Sequence, residues 1–240
     1  MMNHQFFKHT LGQLIVSCQA VEGEPLYSPY IMSRMAVAAM QGGAAAIRAN
    51  TVADIEAIRA AVPLPMIGII KKVCPGSQVY ITPTEHEVSA LVACGVEVIA
   101  MDATSRPRPG GRSLTDFFPP IRRSYPDQLF MADCASYEDA LLAQELGFDI
   151  AGTTLFGYTA ETEGSRLPNI PLIAQIGKNL SIPVIAEGGI WQPWELAEII
   201  QLPGVHAAVI GSAITRPMEI TQRFVKALHK KESNDEDCSA

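Results

Sequence analysis

Paired cysteines, positive charge and long apolar runs are all scarce in this chain of 240 residues. Its five cysteines are an odd number and include no Cys-x-x-Cys pair, which argues against a disulfide framework or a zinc site and predicts free thiols. The formal net charge of -7 argues against a nucleic-acid partner, although a site with local positive groups could still take an anionic substrate. No apolar run reaches the roughly eighteen residues that a membrane span needs, and no signal peptide is evident. We therefore expect a soluble, cytoplasmic protein with no membrane partner.

Short apolar runs alternate along the chain with amphipathic segments rich in Ala, Leu and Glu. An apolar run without polar alternation is typical of a strand buried on both faces of a parallel sheet. Eight such runs are present, over residues 14–19, 45–48, 66–71, 98–102, 129–133, 150–154, 183–190 and 207–211.

Each predicted strand is followed by a predicted helix. Thr51, Thr84 and Ser136 are placed to cap three of these helices, and Gly95 and Gly147 to end two of them. Eight strand–helix units in strict order predict an α/β fold, a (β/α)8 TIM barrel of the phosphate-binding type, with an open doubly wound sheet as the alternative. We expect one barrel domain over 1–229 and a disordered polar tail over 230–240.

Polar or ionisable residues end nearly every predicted strand. In such barrels the active site lies at the carboxyl ends of the strands, and charged residues are rarely buried without a partner or a function. A shared site is therefore favoured over the alternative that each polar residue simply faces solvent where its strand ends. By itself, Glu187-Gly188-Gly189 could be an ordinary turn. The strand ends carry Gln19, Arg48, Lys71, Asp102, Asp133, Thr153 with Thr154, Glu187, and Gly211 with Ser212.

Histidine is missing from these strand ends. The five histidines, His4, His9, His86, His206 and His229, fall elsewhere and are interpreted as surface residues. A site for a catalytic divalent metal in such a barrel would need His and Asp ligands, so we expect no metal. No Gly-x-Gly-x-x-Gly follows the first strand, so nothing supports a nicotinamide cofactor, and we expect no cofactor.

The remaining groups form an acid–base set. A neutral lysine can remove a proton next to a carbonyl or form a Schiff base, and Arg and Gln can stabilise the resulting oxyanion. Burial and Arg48 would lower the pKa of Lys71, whereas Glu187 would raise it, and the sequence leaves open which effect dominates. Lys71 and Glu187 are the predicted catalytic residues.

The last two strands carry the signal for phosphate. Barrels often bind phosphate through the loops after strands seven and eight, where backbone amides and a nearby arginine suit a dianion. The predicted phosphate-binding residues are Gly188, Gly189, Gly211 and Ser212, with Arg216 close by. Arg106 and Arg108 lie in the polar loop 104–112, which is either a lid that closes on phosphate or a solvated loop.

Several of these stretches resemble the N-acetylmannosamine-6-phosphate 2-epimerase family. The most specific are Gly68-Ile69-Ile70-Lys71 and the run Gly152-Thr153-Thr154-Leu155 with Gly157-Tyr158-Thr159. Others are Ser17-Cys18-Gln19-Ala20, Ala46-Ile47-Arg48-Ala49-Asn50, Ile81-Thr82-Pro83-Thr84, Met101-Asp102-Ala103-Thr104, Arg106-Pro107-Arg108-Pro109, Met131-Ala132-Asp133 and Ala186-Glu187-Gly188. Together with Arg216 the resemblance covers almost the whole predicted barrel.

The resemblance implies inversion at C2 of N-acetylmannosamine 6-phosphate, giving N-acetylglucosamine 6-phosphate, in bacterial sialic-acid breakdown without a cofactor. It implies that Lys71, rather than Lys72, and Glu187 are catalytic, and it suggests a homodimer built partly through the last helix. One departure is Gly189, where arginine is common in the family. The implied substrate contacts are Gln19, Arg48, Asp133, Thr153 and Arg216.

Two other classes stay open. The first is another cofactor-free phosphosugar isomerase or a Schiff-base aldolase that uses Lys71. The second is a non-catalytic phosphosugar-binding barrel, which would not need a lysine and a glutamate facing each other.

Overall fold

Each apolar run of the sequence forms a parallel strand, and the eight strands close in chain order into a barrel. The computed structural model describes residues 2–229, so the predicted tail 230–240 lies outside the described residues. The closed order confirms the (β/α)8 prediction over the open sheet. The strands are β1 (Gln13–Cys18), β2 (Ala46–Asn50), β3 (Met66–Ile69), β4 (Val98–Asp102), β5 (Leu129–Asp133), β6 (Ile150–Gly152), β7 (Val184–Glu187) and β8 (Val205–Ile210).

Helices follow the strands and surround the barrel. The Thr84 side chain and Glu87 form a capping box at the start of α4, and Gly95 ends that helix in the left-handed conformation, as the sequence predicted. The helices are α1 (Met2–Thr10), α2 (Pro29–Gln41), α3 (Val52–Ala61), α4 (Glu85–Cys94), α5 (Leu114–Ser124), α6 (Tyr137–Leu146), α7 (Ile170–Asn179), α8 (Pro193–Ile199), α9 (Ser212–Thr215) and α10 (Pro217–His229).

Two cores are created by the alternation of side chains along each strand. Residues of one parity, such as Ala46 and Ile185, belong to the cluster inside the barrel. Residues of the other parity, such as Ile47 and Val184, pack beneath the helices. Because side chains alternate with a period of two, the same parity brings polar groups into the barrel at the carboxyl ends of the strands.

The first helix, α1, was not predicted, and it changes the interpretation of His206. Phe6 of α1 is buried in the interior cluster, and the Thr10 hydroxyl lies 3.0 Å from Nε2 of His206. The ring of Phe7 meets the imidazole edge-on at 5.3 Å between centroids. His206 is therefore buried near the start of β8, at the end of the barrel formed by the amino ends of the strands. The prediction that it is a surface residue was wrong.

Two strand boundaries differ from the sequence prediction. Strand β2 continues past Arg48 to Asn50, which pairs with Ile69, so Arg48 lies within the strand rather than at its end. Strand β3 ends at Ile69, and Lys71 instead makes an isolated antiparallel bridge to Ile81. The chain after β3 thus folds back on itself, which an apolar pattern alone does not indicate.

Three further observations concern residues 2–229. Cys18, Cys74, Cys94 and Cys134 are free thiols. No three His, Cys, Asp or Glu side chains of this range are grouped as ligands for a metal ion. None of the helices in this range combines the length and the apolar character needed to cross a membrane.

Candidate active site

A cavity of about 500 Å3 opens at the carboxyl ends of the strands. Most of the residues that the sequence predicted for the site line it. They are Gln19, Arg48, Lys71, Glu187, Gly188, Gly189, Gly211, Ser212 and Arg216. The structure thus brings together groups that are nearly 200 residues apart in the chain.

Arg48 lies at the base of the cavity and is paired with two carboxylates. Its side chain is 1% exposed and binds Asp133 with both ends of its fork, at 3.0 and 2.6 Å. The same guanidinium donates to Glu187 Oε2 at 2.8 Å. Burial alone would lower the pKa of Arg48, but Asp133 and Glu187 outweigh it and the pKa is raised. A buried cation held by a planar fork is fixed in orientation as well as in charge.

Glu187 ends β7 and has the same parity as Ile185, so its carboxylate points into the barrel. The Thr154 hydroxyl donates to Asp133 Oδ1 at 2.6 Å and also lies 3.1 Å from Glu187 Oε2. Burial raises the pKa of Glu187 to about 7, against the opposing effect of Arg48, and Asp133 adds to the rise. The rise shows that the interaction with Arg48 only partly offsets the cost of charging a carboxyl group away from water. Glu187 can therefore both hold and release a proton near neutral pH.

Lys71 follows β3 and extends from the folded-back segment into the cavity. Burial, helped by Arg48 and Arg216, lowers the pKa of Lys71 to about 8, although Glu187 and Glu24 oppose the change. The sequence left open whether burial and Arg48, or Glu187, would dominate the pKa of Lys71, and in the structure burial and Arg48 dominate. Such a lysine has a useful neutral fraction near pH 7, which a base requires.

Glycines and an arginine form one corner of the cavity, which we call the glycine corner: Gly188, Gly189, Gly211, Ser212 and Arg216. Gly188 and Gly189 have φ values of +114° and +70°, which side chains rarely adopt, and a Cβ on Gly189 would lie 2.2 Å from the Cβ of Leu167. Arg216 is bound by Glu219 at 2.6 Å and by Glu24 at 3.3 Å. The corner combines close backbone approach with a cation at its edge.

Gln19, Asp133 and Thr153 have different positions relative to the cavity. Gln19 lines it, and its amide donates to Ser17 Oγ at 2.9 Å. Asp133 lies behind Arg48, which together with Thr154 engages both of its oxygens. The Thr153 hydroxyl instead contacts the backbone of Glu187, donating to its carbonyl at 2.9 Å and accepting from its amide at 3.0 Å.

Arg106 and Arg108 of the loop 104–112 are not among the residues that line the cavity. Arg106 binds Asp102 at 2.6 Å. Arg108 is buried, stacks on Phe117 with 4.0 Å to the ring centroid, and donates to backbone carbonyls, among them that of Asp102. Both arginines thus fasten the loop to the barrel, and the geometry does not support a lid that closes through them.

Sequence reasoning missed several residues of the cavity wall. Tyr80 and Tyr158 line it, and burial raises the pKa of each phenol, so both keep their protons at neutral pH. Trp191 also lines it, with the guanidinium of Arg223 stacked 3.9 Å from its ring. All of these lie in loops or on the last helix, where no periodic pattern predicts orientation.

The fold and cavity define a class: a (β/α)8 barrel whose cavity, at the carboxyl ends of the strands, is lined by a lysine, a glutamate and a glycine-rich corner. A family model described as "Putative N-acetylmannosamine-6-phosphate epimerase" matches residues 32–230. The chain belongs to this family.

Individual relatives agree. A protein of Enterobacter sp. (strain 638), named "Putative N-acetylmannosamine-6-phosphate 2-epimerase", is 55% identical over 219 residues, which is 90% of this chain and 93% of that protein. A protein of the same name from Listeria monocytogenes serovar 1/2a is 48% identical over 231 residues, or 95% of this chain and 97% of that one. The solved N-acetylmannosamine-6-phosphate 2-epimerase from Clostridium perfringens is 45% identical, with a TM-score of 0.87 over 92% of this chain and 95% of that one.

Proposed function

We propose that this protein is an epimerase that inverts C2 of N-acetylmannosamine 6-phosphate to give N-acetylglucosamine 6-phosphate. The observation that carries the proposal is the pairing of Lys71 and Glu187 in one cavity, with pKa values of about 8 and about 7. Two groups that exchange protons near neutral pH are what a proton-transfer reaction needs. Membership of the epimerase family supplies the substrate.

The chemistry begins with ring opening. The C2 hydrogen becomes acidic only when C1 is an aldehyde, so the sugar must first open. Glu187 assists by moving a proton at the ring oxygen and the C1 hydroxyl. Neutral Lys71 then takes the C2 proton, and the electron pair of that C–H bond moves into an enolate whose charge lies on the C1 oxygen. The enolate then takes a proton on the opposite face of C2, either from the Lys71 ammonium or from a second acid, which gives the epimer; in the second case the Lys71 ammonium returns its proton to solvent.

The remaining residues stabilise charge or hold the substrate. Arg48 and Gln19 line the cavity and stabilise the enolate oxygen. Asp133 acts through Arg48, because the guanidinium and Thr154 already use its oxygens. Thr153 fixes the backbone of Glu187 rather than the sugar. The phosphate lies in the glycine corner, where Arg216 exchanges its carboxylate partners for the dianion.

Hydrogen exchange at C2 tests the reaction directly. In heavy water, N-acetylmannosamine 6-phosphate and the protein should give N-acetylglucosamine 6-phosphate with deuterium at C2, followed by NMR. Lys71→Ala should abolish both events. Lys72→Ala is the matched control, because Lys72 is directed away from the cavity and pairs with Glu87 at 2.9 Å. Near-normal exchange in Lys71→Ala would refute the assignment of the base.

The other reaction classes have their own signatures. A Schiff-base aldolase would be trapped on Lys71 by borohydride in the presence of substrate, and the mass of the peptide would rise by the reduced adduct. An epimerase gives no adduct. A non-catalytic phosphosugar-binding barrel would bind the sugar in calorimetry without any C2 exchange.

We also propose that the protein is a homodimer in which a second copy covers α10. Phe224 and Leu228 of this helix are 73% and 75% exposed, and Val225 and Met218 beside them are also exposed. Such a contiguous apolar face on a surface helix is typical of a protein–protein contact. Family membership favours another copy of the chain as the occupant, in line with the resemblance noted from the sequence.

A further inference from the structure

The segment that carries Lys71 is held by a side chain outside the acid–base set. Asn50 is the last residue of β2, is 2% exposed, and has the inward parity of Ala46 and Arg48. Its Oδ1 accepts a hydrogen bond of 2.8 Å from the backbone N–H of Lys71. This contact joins β2 directly to the residue after β3.

The contact replaces a missing ladder bond. Strand β3 ends at Ile69, whose carbonyl accepts from the N–H of Thr51, and beyond this point β2 offers no backbone acceptor to Lys71. An N–H that is shielded from water and left without a partner costs roughly 1–3 kcal/mol, and Asn50 Oδ1 supplies the acceptor for this half-buried group. On the other side, the segment is tied by the N–H of Thr82 to Ile70 and by the N–H of Lys72 to Tyr80.

We propose that Asn50 is a positioning residue for Lys71, and that the position requires an uncharged acceptor. This inference rests on the proposed role of Lys71 as the base. An amide and a carboxylate have nearly the same shape, and either can accept the N–H of Lys71. They differ in charge. Comparing the wild type with Asn50→Asp therefore keeps the hydrogen bond to the Lys71 N–H and changes only the charge beside the amine.

The charge at this position matters because of the groups that already face Lys71. Arg48 and Arg216 lower the pKa of the amine together with burial, whereas Glu187 and Glu24 raise it. A third carboxylate in this set would shift the balance toward the protonated amine. An amide supplies the hydrogen bond without that shift.

The experiment compares Asn50→Ala, Asn50→Asp and a charge-matched control, Asn179→Asp, at the exposed end of α7. Epimerisation and C2 exchange are measured from pH 6 to 10. Asn50→Ala should lower kcat about 10- to 100-fold with KM changed less than about threefold, because a base displaced by about 1 Å loses rate more than binding. Asn50→Asp should recover much of kcat at high pH, with the profile moved up by about one pH unit or more. The control should match the wild type.

A second readout does not depend on turnover. Acetylation of Lys71 by an amine-reactive reagent, followed by peptide mass spectrometry across the same pH range, reports how readily the amine loses its proton. The labelling midpoint should move upward in Asn50→Asp and stay unchanged in Asn179→Asp. If the wild type fails to epimerise the sugar, the proposed function fails while labelling still tests Asn50.

Two results would overturn the role of Asn50. One is that Asn50→Ala has the same kcat and the same labelling of Lys71 as the wild type. The other is an unshifted pH profile and labelling midpoint in Asn50→Asp. If Asn50→Ala does not fold, judged by circular dichroism, the isosteric Asn50→Asp variant carries the test alone.

Discussion

At the scale of single residues, Arg48 connects the two carboxylates of the site, Asp133 and Glu187. It is fully buried and binds Asp133 and Glu187 at once. A buried charge is tolerated only when it is paired, and one cation between two carboxylates leaves an excess of negative charge. Burial brings the pKa of Glu187 to about 7 and Asp133 adds to the rise, while Arg48 opposes it and limits how far the pKa moves.

Lys71 should cost stability in return for its chemistry. Its pKa is lowered from 10.5 to about 8, so the unfolded chain binds the proton more tightly, and stability rises as pH increases from about 8 to 10.5. At pH 7 the full cost is present. Lys71→Met should therefore abolish epimerisation but raise the free energy of unfolding at pH 7 by about 1–3 kcal/mol.

Urea unfolding at pH 7 and pH 10.5 measures this trade-off. The gain in Lys71→Met should shrink at the higher pH, where the wild-type amine is neutral. Lys178→Met serves as the control, since Lys178 is an exposed lysine near the end of α7. A loss of stability in Lys71→Met at pH 7 would contradict the argument.

Asp54 presents a similar cost away from the cavity. Its side chain is 1% exposed, and Oδ2 has no hydrogen-bond partner in the part of the chain that the structure describes. Burial raises the pKa of Asp54 from 3.8 to about 6, so stability should fall as pH rises through that window.

The isosteric change Asp54→Asn should increase the free energy of unfolding at pH 7 by about 1–3 kcal/mol and give no gain at pH 4. Denaturant titrations at the two pH values measure both effects. Glu56→Gln, at an exposed position of the same helix, is the control. Equal effects of Asp54→Asn at both pH values would show that charge is not the cause.

At the scale of elements, close packing overrides helix propensity at Gly177. This glycine lies inside α7, where alanine is intrinsically better by about 1 kcal/mol. A Cβ there would lie 2.1 Å from the carbonyl oxygen of Pro203, however, and the same contact involves Gly204. Backbone cannot yield as a flexible side chain can, so the steric cost dominates.

Gly177→Ala should therefore lower the free energy of unfolding by about 1–3 kcal/mol, despite the better helix former. Thermal unfolding measures the change. Ser89→Ala in α4 is a suitable control, because that hydroxyl is exposed and the substitution adds no atoms. A stabilised Gly177→Ala protein would mean that α7 is free to move away from the loop before β8.

The order of the elements could be predicted because each strand has an apolar core and each helix has start or stop residues. The boundaries could not, because β2 and β3 end where side-chain contacts replace the ladder, as at Asn50. The inward alternation of Ile150 and Gly152 would have selected Thr154 rather than Thr153 for the cavity, and this signal was available. By contrast, the fastening of Arg108 by carbonyls and the burial of His206 by α1 depend on tertiary contacts that no local pattern encodes.

At the scale of the whole molecule, α10 connects the apolar surface with the cavity. Phe224 and Leu228 lie on one side of this helix, while Arg223, near the opposite side, is stacked over Trp191 at the cavity wall. A copy that covers the apolar side would hold the helix in place. Dimerisation should therefore affect substrate binding as well as mass.

Light scattering coupled to size exclusion should give the wild type twice the 25.9 kDa mass of one chain. Replacing both Phe224 and Leu228 by Glu should give a monomer, because two charges cannot be buried unpaired in an apolar contact. The same variant should raise KM for the phosphosugar severalfold, because α10 would no longer be held in place beside the cavity. Lys226→Glu changes the net charge by the same amount on the other side of the helix and should stay dimeric. A wild type that is monomeric at micromolar concentration, or a double variant that still dimerises, would mean that α10 is not the contact.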